Sequence, residues 1–481
     1  MYELLPFRYE LQEEKVFLTN EVGEYVYLTK KEFQDLKEFK IKPNSELFYD
    51  LKSKWIISSG NIDSTINALS IKYRTKKGFL FEFTTLHMIV TTLFCNSDCS
   101  YCHASSKNPN DKSFSINIKT AKNIVNTILK SPNKKIKIEF QGGEPLMNYN
   151  IIKFIISYTK ALNSNIKKDI EFVVCSNLLL INKSMLNFFK KHNVYLSTSF
   201  DGPEKLHSIQ RPTRKKMEKN SYQQFLEKLR ISRKILGNDK VSALMTATKS
   251  SLSSHKDIID SYLNNGFKSI FLRRINPFGM AEKNKDKLSY SIDDFLKFYK
   301  NSLDYILSIN SNGTLFIEEF TSILFRKIMT PFSTGFVDLQ SPAGVGIQGV
   351  IYNYNGDVFV SDEGRMWDAM GGGKTFKMGN VEKDSYQNIF NSEFLHNLIV
   401  NSTLESSSRC AYCPYIHFCG SDPVKNHVLY GNTHIIPYDT DQCFFIKKSV
   451  QYIIHKINEN ELYEKIFWTW ITNKSLQELS N

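Results

Sequence analysis

The sequence contains no long hydrophobic run. None of its apolar stretches reaches the roughly 18 residues that a membrane-spanning helix requires. The opening segment, MYELLPFRYELQEEKVFL, is charged throughout and has no apolar core like that of a secretory signal peptide. Internal repeats and low-complexity tracts are also missing. These absences predict a cytoplasmic protein without a membrane partner.

Cysteine is scarce, at eight of 481 residues. A cytoplasmic protein has little use for disulfides, so clustered cysteines indicate a metal site or catalysis. Seven of the eight cysteines lie in two groups. The eighth, Cys175, ends the apolar run IEFVVC, and we expect it to be a small residue of the buried core.

Acidic residues are outnumbered by basic ones, 49 to 62, which gives a formal net charge of +13. A basic surface can attract nucleic acid, an acidic peptide or an anionic membrane. Most of this charge is lysine spread along the chain between apolar positions, as on an ordinary solvated surface. We therefore do not expect a nucleic-acid partner. The length and the 41% hydrophobic content are typical of a globular protein of about two to four domains.

Residues 1–80 are predicted to form a separate N-terminal module of α+β type. Alternating apolar residues predict strands over residues 15–20 and 24–28, joined by a turn at Val22 and Gly23. Thr29 and Glu32 form a capping box at the start of a helix. Ser45 begins a second helix, and residues 55–57 form a closing strand. This module contains no cluster of catalytic residue types.

Strands alternate with helices over residues 81–310. The apolar strand candidates are residues 88–94, 136–140, 170–175, 194–199, 241–247 and 269–273. This alternation predicts an α/β fold with a parallel sheet, either open or curled into a barrel, and about six units would make an incomplete (β/α)6 barrel. In such barrels the chemistry lies at the C-terminal ends of the strands, where the polar motifs of this sequence occur. Residues 311–481 lose the alternation and are predicted to form a cysteine-rich domain of irregular structure held by a metal site.

The first cysteine group lies in the segment TTLFCNSDCSYCHAS, directly after the first strand. Cys95, Cys99 and Cys102 have the spacing C-x3-C-x2-C. Thiolates are the usual ligands of iron–sulfur clusters, and three thiolates on a four-iron cubane leave one iron open to a substrate or cofactor. A zinc site with His103 as the fourth ligand is the alternative.

This spacing resembles the signature of the radical S-adenosylmethionine (SAM) superfamily. The resemblance implies that the amino and carboxylate groups of SAM chelate the open iron of a 4Fe-4S cluster. An electron from an external reductant, such as flavodoxin or ferredoxin, then produces a 5′-deoxyadenosyl radical that abstracts hydrogen from the substrate. By the same resemblance, Tyr101 packs near the adenine. Gly142, Gly143 and Glu144, in a GGEP motif after the second strand, bind the SAM amino group.

Two later strand ends resemble further SAM-binding motifs. The third strand ends at Ser176 and Asn177, where such enzymes often contact the ribose. The fourth ends in the segment SFDGP, followed by a histidine and an arginine. This match implies that Ser199 and Arg211 hold SAM, with the guanidinium on the carboxylate of SAM. Ile275, after the sixth strand, is assigned to the adenine by its position alone.

The second cysteine group has the spacing C-x2-C-x5-C, with one more cysteine downstream. Four cysteines can fill a zinc site or a cluster. In this context the group resembles the SPASM domain, a C-terminal extension of many radical SAM enzymes that modify peptides. The resemblance implies one auxiliary 4Fe-4S cluster, with the ligands Cys410, Cys413, Cys419 and Cys443.

A full SPASM domain holds a second auxiliary cluster, and this sequence departs from that pattern. Ser341 and Ser361 stand where two of its cysteines are expected, and Pro423 stands where another would follow Cys419. We therefore predict one auxiliary cluster. Asp362 occupies the place of a carboxylate that accepts a proton in SPASM sulfatase-maturing enzymes, which makes it the candidate catalytic residue. A loop aspartate that caps a turn is the alternative interpretation.

Three stretches carry a closer resemblance: LLPFRYELQEEKVFLTNEVGEYVYLTKKEF, PFSTGFVDLQSPAGVGIQGVIYNYNGDVFVSDEGRM and CPYIHFCGSDPV. Together they look like the His-Xaa-Ser system radical SAM maturase, a family implicated in modifying a short ribosomally made peptide encoded beside it. The N-terminal module then resembles a precursor-recognition element, to which the leader peptide adds as an extra strand. The predicted function is that of an oxidoreductase that matures a precursor peptide, alone or with a partner maturase.

Three other functions remain open. One is a sulfatase-maturing enzyme that makes formylglycine, which would normally need both auxiliary clusters. Another is a nucleic-acid-modifying radical SAM enzyme, which the basic charge suggests. The third is a catalytically inactive scaffold that binds peptide, against which the intact first cysteine group and Glu144 argue.

Overall fold

The computed structural model describes residues 2–81, 83–104, 106–107, 112–215, 218–434 and 440–480. The chain forms two compact units, each assembled from separate stretches. The first unit comprises Met1–Phe81, Thr321–Gly344 and Leu398–Asn481, and the second comprises Glu82–Phe320 and Val345–Asn397. The domain boundaries near residues 80 and 310 stay a prediction.

The N-terminal part of the first unit is the predicted α+β module. Its elements are β1 (Glu3–Leu4), β2 (Phe7–Leu11), β3 (Lys15–Asn20), β4 (Tyr25–Thr29), α1 (Lys30–Lys37), α2 (Glu46–Ser53), β5 (Ile57–Ser58) and α3 (Ile62–Lys76). Strands β2, β3 and β4 form an antiparallel sheet in that order, and β1 pairs with β5.

Local sequence signals explain why these elements begin where they do. The capping box is present: Glu32 N donates to Thr29 Oγ1 at 3.1 Å, and Thr29 N donates to the Glu32 carboxylate at 2.7 Å. Gly23 has a φ of +82° in the turn between β3 and β4, which a side chain would disfavour. Strand β2 was not predicted, although Phe7, Tyr9 and Leu11 alternate there with Arg8 and Glu10 as in a half-buried strand.

The elements from residue 86 to residue 401 are β6 (Leu86–Thr92), α4 (Ile118–Leu129), β7 (Lys135–Gly142), α5 (Tyr149–Ile166), β8 (Asp169–Ser176), α6 (Lys183–His192), β9 (Val194–Ser199), α7 (Glu204–Gln210), α8 (Ser221–Leu236), β10 (Val241–Thr246), α9 (His255–Asn264), β11 (Ser269–Ile270), β12 (Leu272–Arg273), α10 (Met280–Lys283), α11 (Lys285–Leu288), α12 (Ile292–Ser311), β13 (Ile317–Glu318), α13 (Glu319–Met329), β14 (Gly349–Tyr352), β15 (Asp357–Phe359), α14 (Asp362–Ala369), β16 (Lys377–Asn380), α15 (Tyr386–Phe390) and α16 (Glu393–Asn401).

The core of the second unit is a nine-stranded sheet in the order β12-β10-β9-β8-β7-β6-β14-β15-β16. The pairs from β12 to β14 are parallel, and the pairs involving β15 are antiparallel. The predicted α/β fold is therefore confirmed, and its sheet is mixed, with mostly parallel strands. Helix α4 illustrates how the helices between the strands contribute to the core. Its apolar stripe of Ala121, Ile124, Val125 and Ile128 is fully buried.

The predicted sixth strand is wrong as a single element. The chain changes partner within residues 269–273: Ser269 pairs with Ile317 of β13, whereas Leu272 pairs with Met245 of β10. Only β12 belongs to the large sheet. Toward its opposite end, the large sheet is extended by β14. This strand pairs with β6, although Gly349 and Leu86 are far apart in sequence.

The last elements are α17 (Pro423–Tyr430), α18 (Asp441–Glu459), α19 (Glu461–Thr472) and α20 (Leu476–Ser480), all in the first unit. Pro423 is the first residue of α17, a position that needs no backbone N–H, and Asp422 caps the helix. No helix in the described part of the chain has the length and apolar character to cross a membrane.

Candidate active site

The first three cysteines lie on the loop after β6, and the GGEP segment after β7 holds one side of this loop. Gly143 N donates to Thr92 O at 2.9 Å, and Glu144 N donates to Phe94 O at 2.6 Å. A Cβ atom on Gly142 would overlap the carbonyl of Thr92, and one on Gly143 would overlap the carbonyls of Leu93 and Phe94. The glycines therefore let two backbone segments meet, and this close approach explains why side chains are missing there.

The segment after α7 holds the second side of the cysteine loop. Asp98 N donates to Pro212 O at 2.8 Å, Ser100 N donates to Gln210 O at 2.9 Å, and Arg214 N donates to Asn96 O at 2.9 Å. These bonds join the cysteine loop to the segment that carries Arg211. The loop geometry thus depends on a part of the chain more than 100 residues away.

A third contact comes from the start of α10, which the sequence did not indicate. Met280 N donates to Cys102 O at 2.7 Å, and Asn284 Nδ2 donates to Ser100 O at 2.8 Å. Gly279 has a φ of +59°, and a Cβ atom there would lie 2.6 Å from Cys102 O. The signal that could have revealed this contact is the glycine of the segment NPFGM, in the loop between the strand that ends at Arg273 and the next helix.

The three thiols are close enough to influence one another. Burial raises the pKa of Cys95 to about 12, and the charges of Glu144, Cys99 and Cys102 add to this. Burial likewise raises the pKa of Cys99 to about 11. Thiols with such values are not nucleophiles at neutral pH, whereas metal coordination deprotonates a thiol outright. These properties suit metal ligands.

A single-ion site does not account for these cysteines. Within the described ranges, no three His, Cys, Asp or Glu side chains converge on the position of one metal ion. Thiolates around one zinc ion lie about 4 Å apart, since each is about 2.3 Å from the metal, whereas a cubane holds its thiolates on separate irons. All eight cysteines are free of disulfides. The donor set fits an iron–sulfur cluster better than the zinc alternative.

Glu144 is a buried carboxylate at the centre of this arrangement. Its Oε1 accepts from Ser176 Oγ at 2.7 Å and from Leu146 N at 3.1 Å, and its Oε2 accepts from Asn177 N at 2.8 Å. Burial raises the pKa of Glu144 to about 7, although these three hydrogen bonds oppose the shift. A carboxylate has about four lone-pair sites, so Glu144 retains capacity for an ammonium group.

The end of β8 is joined to the cysteine loop as well. Asn177 Nδ2 donates to Asn96 Oδ1 at 2.8 Å and to Ser97 Oγ at 3.0 Å. Ser176 lies beside Thr198 of β9 in the sheet, which places the predicted residue Ser199 at the neighbouring strand end. The structure thus brings the predicted ribose-binding residues to the same edge as Glu144.

Tyr101 and Arg211 meet in a buried chain of hydrogen bonds. The Tyr101 hydroxyl donates to Asp201 Oδ2 at 2.6 Å and accepts from Arg211 Nη1. The ring of Tyr101 packs in an apolar cluster with Ala281, Leu288 and the partly buried Ile275. Tyr101 and Ile275, both predicted to lie near the adenine, are therefore neighbours.

Arg211 is not an isolated surface charge, because the Tyr101 hydroxyl accepts from it and Asp201 completes the chain. Burial lowers the pKa of Arg211, but the charges of Cys99, Tyr101 and Asp201 outweigh this and raise the pKa well above its usual value. Asp201 was not among the predicted site residues. Its place in the SFDGP segment was the available signal.

His103 follows the last of the three cysteines and lies among charged groups from other parts of the second unit. Burial lowers the pKa of His103 to about 4; the charge of Arg273 acts in the same direction, and those of Asp362 and Glu363 oppose it. The imidazole is therefore neutral at physiological pH. Asp362 lies within electrostatic range of the cysteine loop.

Asp362 is the first residue of α14, but it does not cap this helix. Ser361 has that role, since its Oγ accepts from Gly364 N at 3.3 Å. The Asp362 carboxylate accepts instead from Arg365 Nε at 2.6 Å. The next residue, Glu363, accepts from Asn276 Nδ2 at 3.0 Å.

Cys175 was expected to be a small residue of the buried core, but its side chain is only partly buried and makes a polar contact. Its thiol donates to Glu139 Oε1 at 3.1 Å, and burial raises the pKa of Glu139. The charges of Arg273 and Asp362 also act on Glu139, so these side chains share one polar region. The cysteine was misassigned because period-2 alternation places it on the face of β8 opposite to the apolar core, a feature hidden by the continuous apolar run.

Comparison with known sequences agrees with this geometry. The sequence model of the radical SAM superfamily matches residues 89–261, which include the cysteine loop, the GGEP segment and Arg211. The uncharacterized protein MJ0907 of Methanocaldococcus jannaschii is 30% identical over 256 residues, which make up 49% of this chain and 83% of that protein. The chain belongs to the radical SAM superfamily. Membership implies an iron–sulfur cluster and SAM as cofactors.

Three further proteins that are similar to this radical SAM protein share less sequence identity with it. A cysteine-type anaerobic sulfatase-maturating enzyme of Clostridium novyi is 24% identical over 349 residues, or 69% of this chain and 85% of the enzyme. The solved structure of anSMEcpe with bound AdoMet and Kp18Cys peptide superposes with a TM-score of 0.62 at 17% identity, over 78% of this chain and 98% of the other. SuiB of Streptococcus suis bound to its precursor peptide SuiA gives 0.54 at 15% identity, over 91% and 99%. These structures share the fold.

The remaining cysteines of the radical SAM protein lie in the first unit. Burial raises the pKa of Cys419, and the charges of Cys443, Cys413 and Cys410 raise it further, so all four thiols lie within mutual electrostatic range. The set provides four thiol ligands, as a fully ligated cubane requires. Within this unit they fit the predicted auxiliary cluster.

The N-terminal sheet holds the loop that carries three of these cysteines. Arg8 Nε donates to Ala411 O at 2.5 Å, and Thr19 Oγ1 donates to Pro414 O at 2.9 Å. The rings of Phe17 and Tyr415 stack with their centroids 4.9 Å apart. The N-terminal module and the auxiliary cysteines are therefore parts of one structure.

The serines at expected cysteine positions have structural roles of their own. The Ser341 hydroxyl donates to the Glu405 carboxylate and accepts from Leu404 N at 2.8 Å. Ser361 caps α14, and Pro423 begins α17. The three residues offer no thiol ligands, and the number of auxiliary clusters stays a prediction.

Proposed function

We propose that this radical SAM enzyme oxidatively modifies a side chain or a Cα position of a ribosomally synthesised precursor peptide. The observation that carries the proposal is the attachment of the N-terminal sheet to the auxiliary-cysteine loop through Arg8 and Thr19. A sheet can receive an extended peptide as an additional strand. Such an element within the same unit as the auxiliary cysteines suits a polypeptide substrate better than a small molecule.

The edges of this sheet support the proposal. Strands β2 and β4 are the outer strands, so each has one strand neighbour in the sheet. An edge strand presents backbone groups that pair readily with another extended chain. On β2, the side chains of Tyr9 and Leu11 are 48% and 62% exposed, and their i, i+2 spacing places them on one face. They would contact alternate apolar side chains of a leader peptide.

The names of related proteins point in the same direction. SuiB was solved with its precursor peptide, and anSMEcpe was solved with a peptide. The three stretches that resemble the His-Xaa-Ser system radical SAM maturase narrow the proposal further. We assign the substrate to the short peptide encoded beside such a maturase, with flavodoxin or ferredoxin as the electron donor and a partner maturase as an optional component.

Two charged SAM contacts, Asp362 and the auxiliary cysteines have defined roles in this proposal. When bound, the cluster and SAM supply a 5′-deoxyadenosyl radical that takes a hydrogen atom from an unactivated carbon of the peptide. Glu144 accepts the ammonium group of SAM, and Arg211 binds the carboxylate of SAM. Asp362 accepts a proton from the substrate as it is oxidised. The four auxiliary cysteines hold the second cluster.

Coexpression with the peptide encoded by the neighbouring gene tests the proposal. We expect a change in peptide mass under anaerobic conditions and 5′-deoxyadenosine formation by the purified enzyme. The control is the triple variant C95A/C99A/C102A, which should give neither. An unmodified peptide together with active SAM cleavage would contradict the peptide assignment, and an absence of SAM cleavage would indicate the scaffold function.

Sulfatase maturation is a second candidate, favoured by the 24% identity to the Clostridium novyi enzyme. A cysteine-containing sulfatase peptide is the probe, and formation of formylglycine would replace the first proposal. Iron analysis separates the cofactor sets, because one auxiliary cluster predicts about eight irons per chain and two predict about twelve.

A further inference from the structure

The first unit contains a small cavity whose wall carries three lysines. Its volume is about 50 Å³, and Lys76, Lys77 and Lys327 line it together with Glu405 and Cys419. A buried water needs roughly 10–15 Å³ of such volume, so the space holds a few waters and no larger ligand. The positive charges therefore act on a group in the wall of the cavity and not on a molecule within it.

The charges of the lysines are only partly balanced. The Lys77 ammonium pairs with the Glu405 carboxylate. Lys76 Nζ donates to Lys327 O at 3.2 Å, and Lys327 Nζ donates to Leu339 O, both of them neutral carbonyls. Glu405 is the only carboxylate among the described residues that line the cavity. Three ammonium groups and one carboxylate leave two positive charges in the lining, which are expensive to bury unless an anion balances them. The charge of Glu24 also acts on Lys76, but Glu24 is paired with Lys72.

Burial disfavours the charged form of these lysines, as expected for ammonium groups that lack a sufficient balancing charge. It lowers the pKa of Lys327 to about 7 and the pKa of Lys76 to about 8. The charge of the Cys419 thiolate raises the pKa of Lys327, in the opposite direction. Lys327 and Cys419 are therefore electrostatically coupled across the cavity.

The auxiliary cluster has the charge that balances the lysines. A cubane held by four thiolates carries about two negative charges in its oxidised state, and reduction adds a third. Cys419, one of the four thiols, faces the same cavity as the lysines. The excess of two positive charges matches the oxidised cluster and favours the additional negative charge of the reduced cluster.

We propose that Lys76, Lys77 and Lys327 form a set of fixed counter-charges that raises the reduction potential of the auxiliary cluster and adapts it to accept an electron. The inference rests on the proposed auxiliary cluster and gives it a role. In the proposed reaction, hydrogen-atom abstraction removes one electron from the peptide, and the substrate radical must lose a second electron together with a proton. A cluster with a raised potential is suited to take that second electron.

The test is a redox titration of the auxiliary cluster followed by electron paramagnetic resonance. The background is the C95A/C99A/C102A variant of the full chain, reconstituted with iron and sulfide, so that only the auxiliary cluster gives a signal. We expect Lys327→Met and Lys76→Met each to shift the midpoint potential to more negative values, with a larger shift when they are combined.

Two controls separate charge from packing. Lys327→Arg keeps the positive charge and should leave the potential close to that of the background protein. Lys52→Met removes a charge from the exposed surface of α2 in the same unit and should cause no shift. If one methionine variant does not load iron, the other still provides the measurement.

The outcomes distinguish this inference from the function on which it rests. A loaded cluster whose potential is the same in Lys327→Met, Lys76→Met and the background protein would overturn the inference alone. A background protein that binds no iron would overturn both the inference and the proposed auxiliary cluster.

Discussion

Arg365 Nε donates a hydrogen bond to Asp362 Oδ1 at 2.6 Å, and the two side chains are 2% and 14% exposed. The other two guanidinium nitrogens of Arg365 have no hydrogen-bond acceptor among the residues that the structure describes. A buried donor without a partner costs about 1–3 kcal/mol, and more when it is charged. Asp362 already balances the charge of Arg365, so the two unpaired guanidinium nitrogens need only hydrogen-bond acceptors. We expect carbonyl oxygens of the substrate peptide to bind there, beside Asp362.

Removal of the proposed proton acceptor should separate SAM cleavage from product formation. Asp362→Asn keeps the size of the side chain and abolishes its basicity, so we expect 5′-deoxyadenosine to form while the modified peptide falls by at least about tenfold. Liquid chromatography of 5′-deoxyadenosine and mass spectrometry of the peptide give the two rates. Asp368→Asn, on the same helix, is the matched control. Equal losses of both products in Asp362→Asn would instead indicate a structural role.

Replacement of Arg365 should impair the substrate site and leave the SAM site intact. Arg365→Gln breaks a buried ion pair, which typically costs about 3–5 kcal/mol of stability, and removes the donors intended for the peptide. We expect a lower unfolding temperature and loss of peptide modification, with unchanged SAM affinity by calorimetry. Arg365→Lys keeps the charge but not the paired nitrogens, and should recover stability better than modification. A loss of SAM affinity in either variant would place Arg365 in the SAM site.

SAM binding should depend on pH through Glu144. Burial raises the pKa of this carboxyl to about 7, so below that pH it is protonated and offers no negative charge to the SAM ammonium. Affinity measured by anaerobic calorimetry should therefore weaken from pH 8 to pH 6, by up to about tenfold per pH unit below the pKa. Glu144→Gln should bind weakly, with a flat profile. A pH-independent affinity of the unmodified protein would contradict this role.

The same shift predicts the sign of a stability effect. Between its usual pKa near 4.5 and its folded value of about 7, Glu144 holds a proton in the folded state that the unfolded state has lost. The free energy of unfolding without SAM should therefore decrease as pH rises through this window. Denaturant titrations at pH 5 and pH 7.5 measure this contribution, which should be absent in Glu144→Gln.

A methyl group on Gly143 should disrupt the cysteine loop. The added Cβ atom of Gly143→Ala would overlap the carbonyls of Leu93 and Phe94, and backbone atoms cannot move aside as a flexible side chain can. We expect lower iron content at the first cluster and reduced SAM cleavage. Gly78→Ala is the control, because the space around Gly78 is open. Full iron loading and activity in Gly143→Ala would show that the two segments do not need this close approach.

Local features of the sequence determined several strands, a helix start and the cysteine groups of this protein. Strands β7, β8 and β9 follow from short apolar runs, and the cysteine groups follow from spacing within single loops. The capping box at Thr29 and Glu32 is equally local. Such signals survive in one dimension because periodicity and caps depend on residues only a few positions apart. The roles assigned to the individual site residues stay predictions.

The tertiary structure decided what depends on contacts between distant residues. It joined β14 to β6, bonded Met280 to the cysteine loop, paired Cys175 with Glu139, and gathered three lysines around one cavity with Cys419. The sequence does not identify these partners, because register and packing select them from the whole chain and not from a neighbouring turn. The burial of Arg365 is of the same kind. A charged residue is normally expected on the surface, and the neighbours of Arg365 in the sequence do not indicate that it is buried.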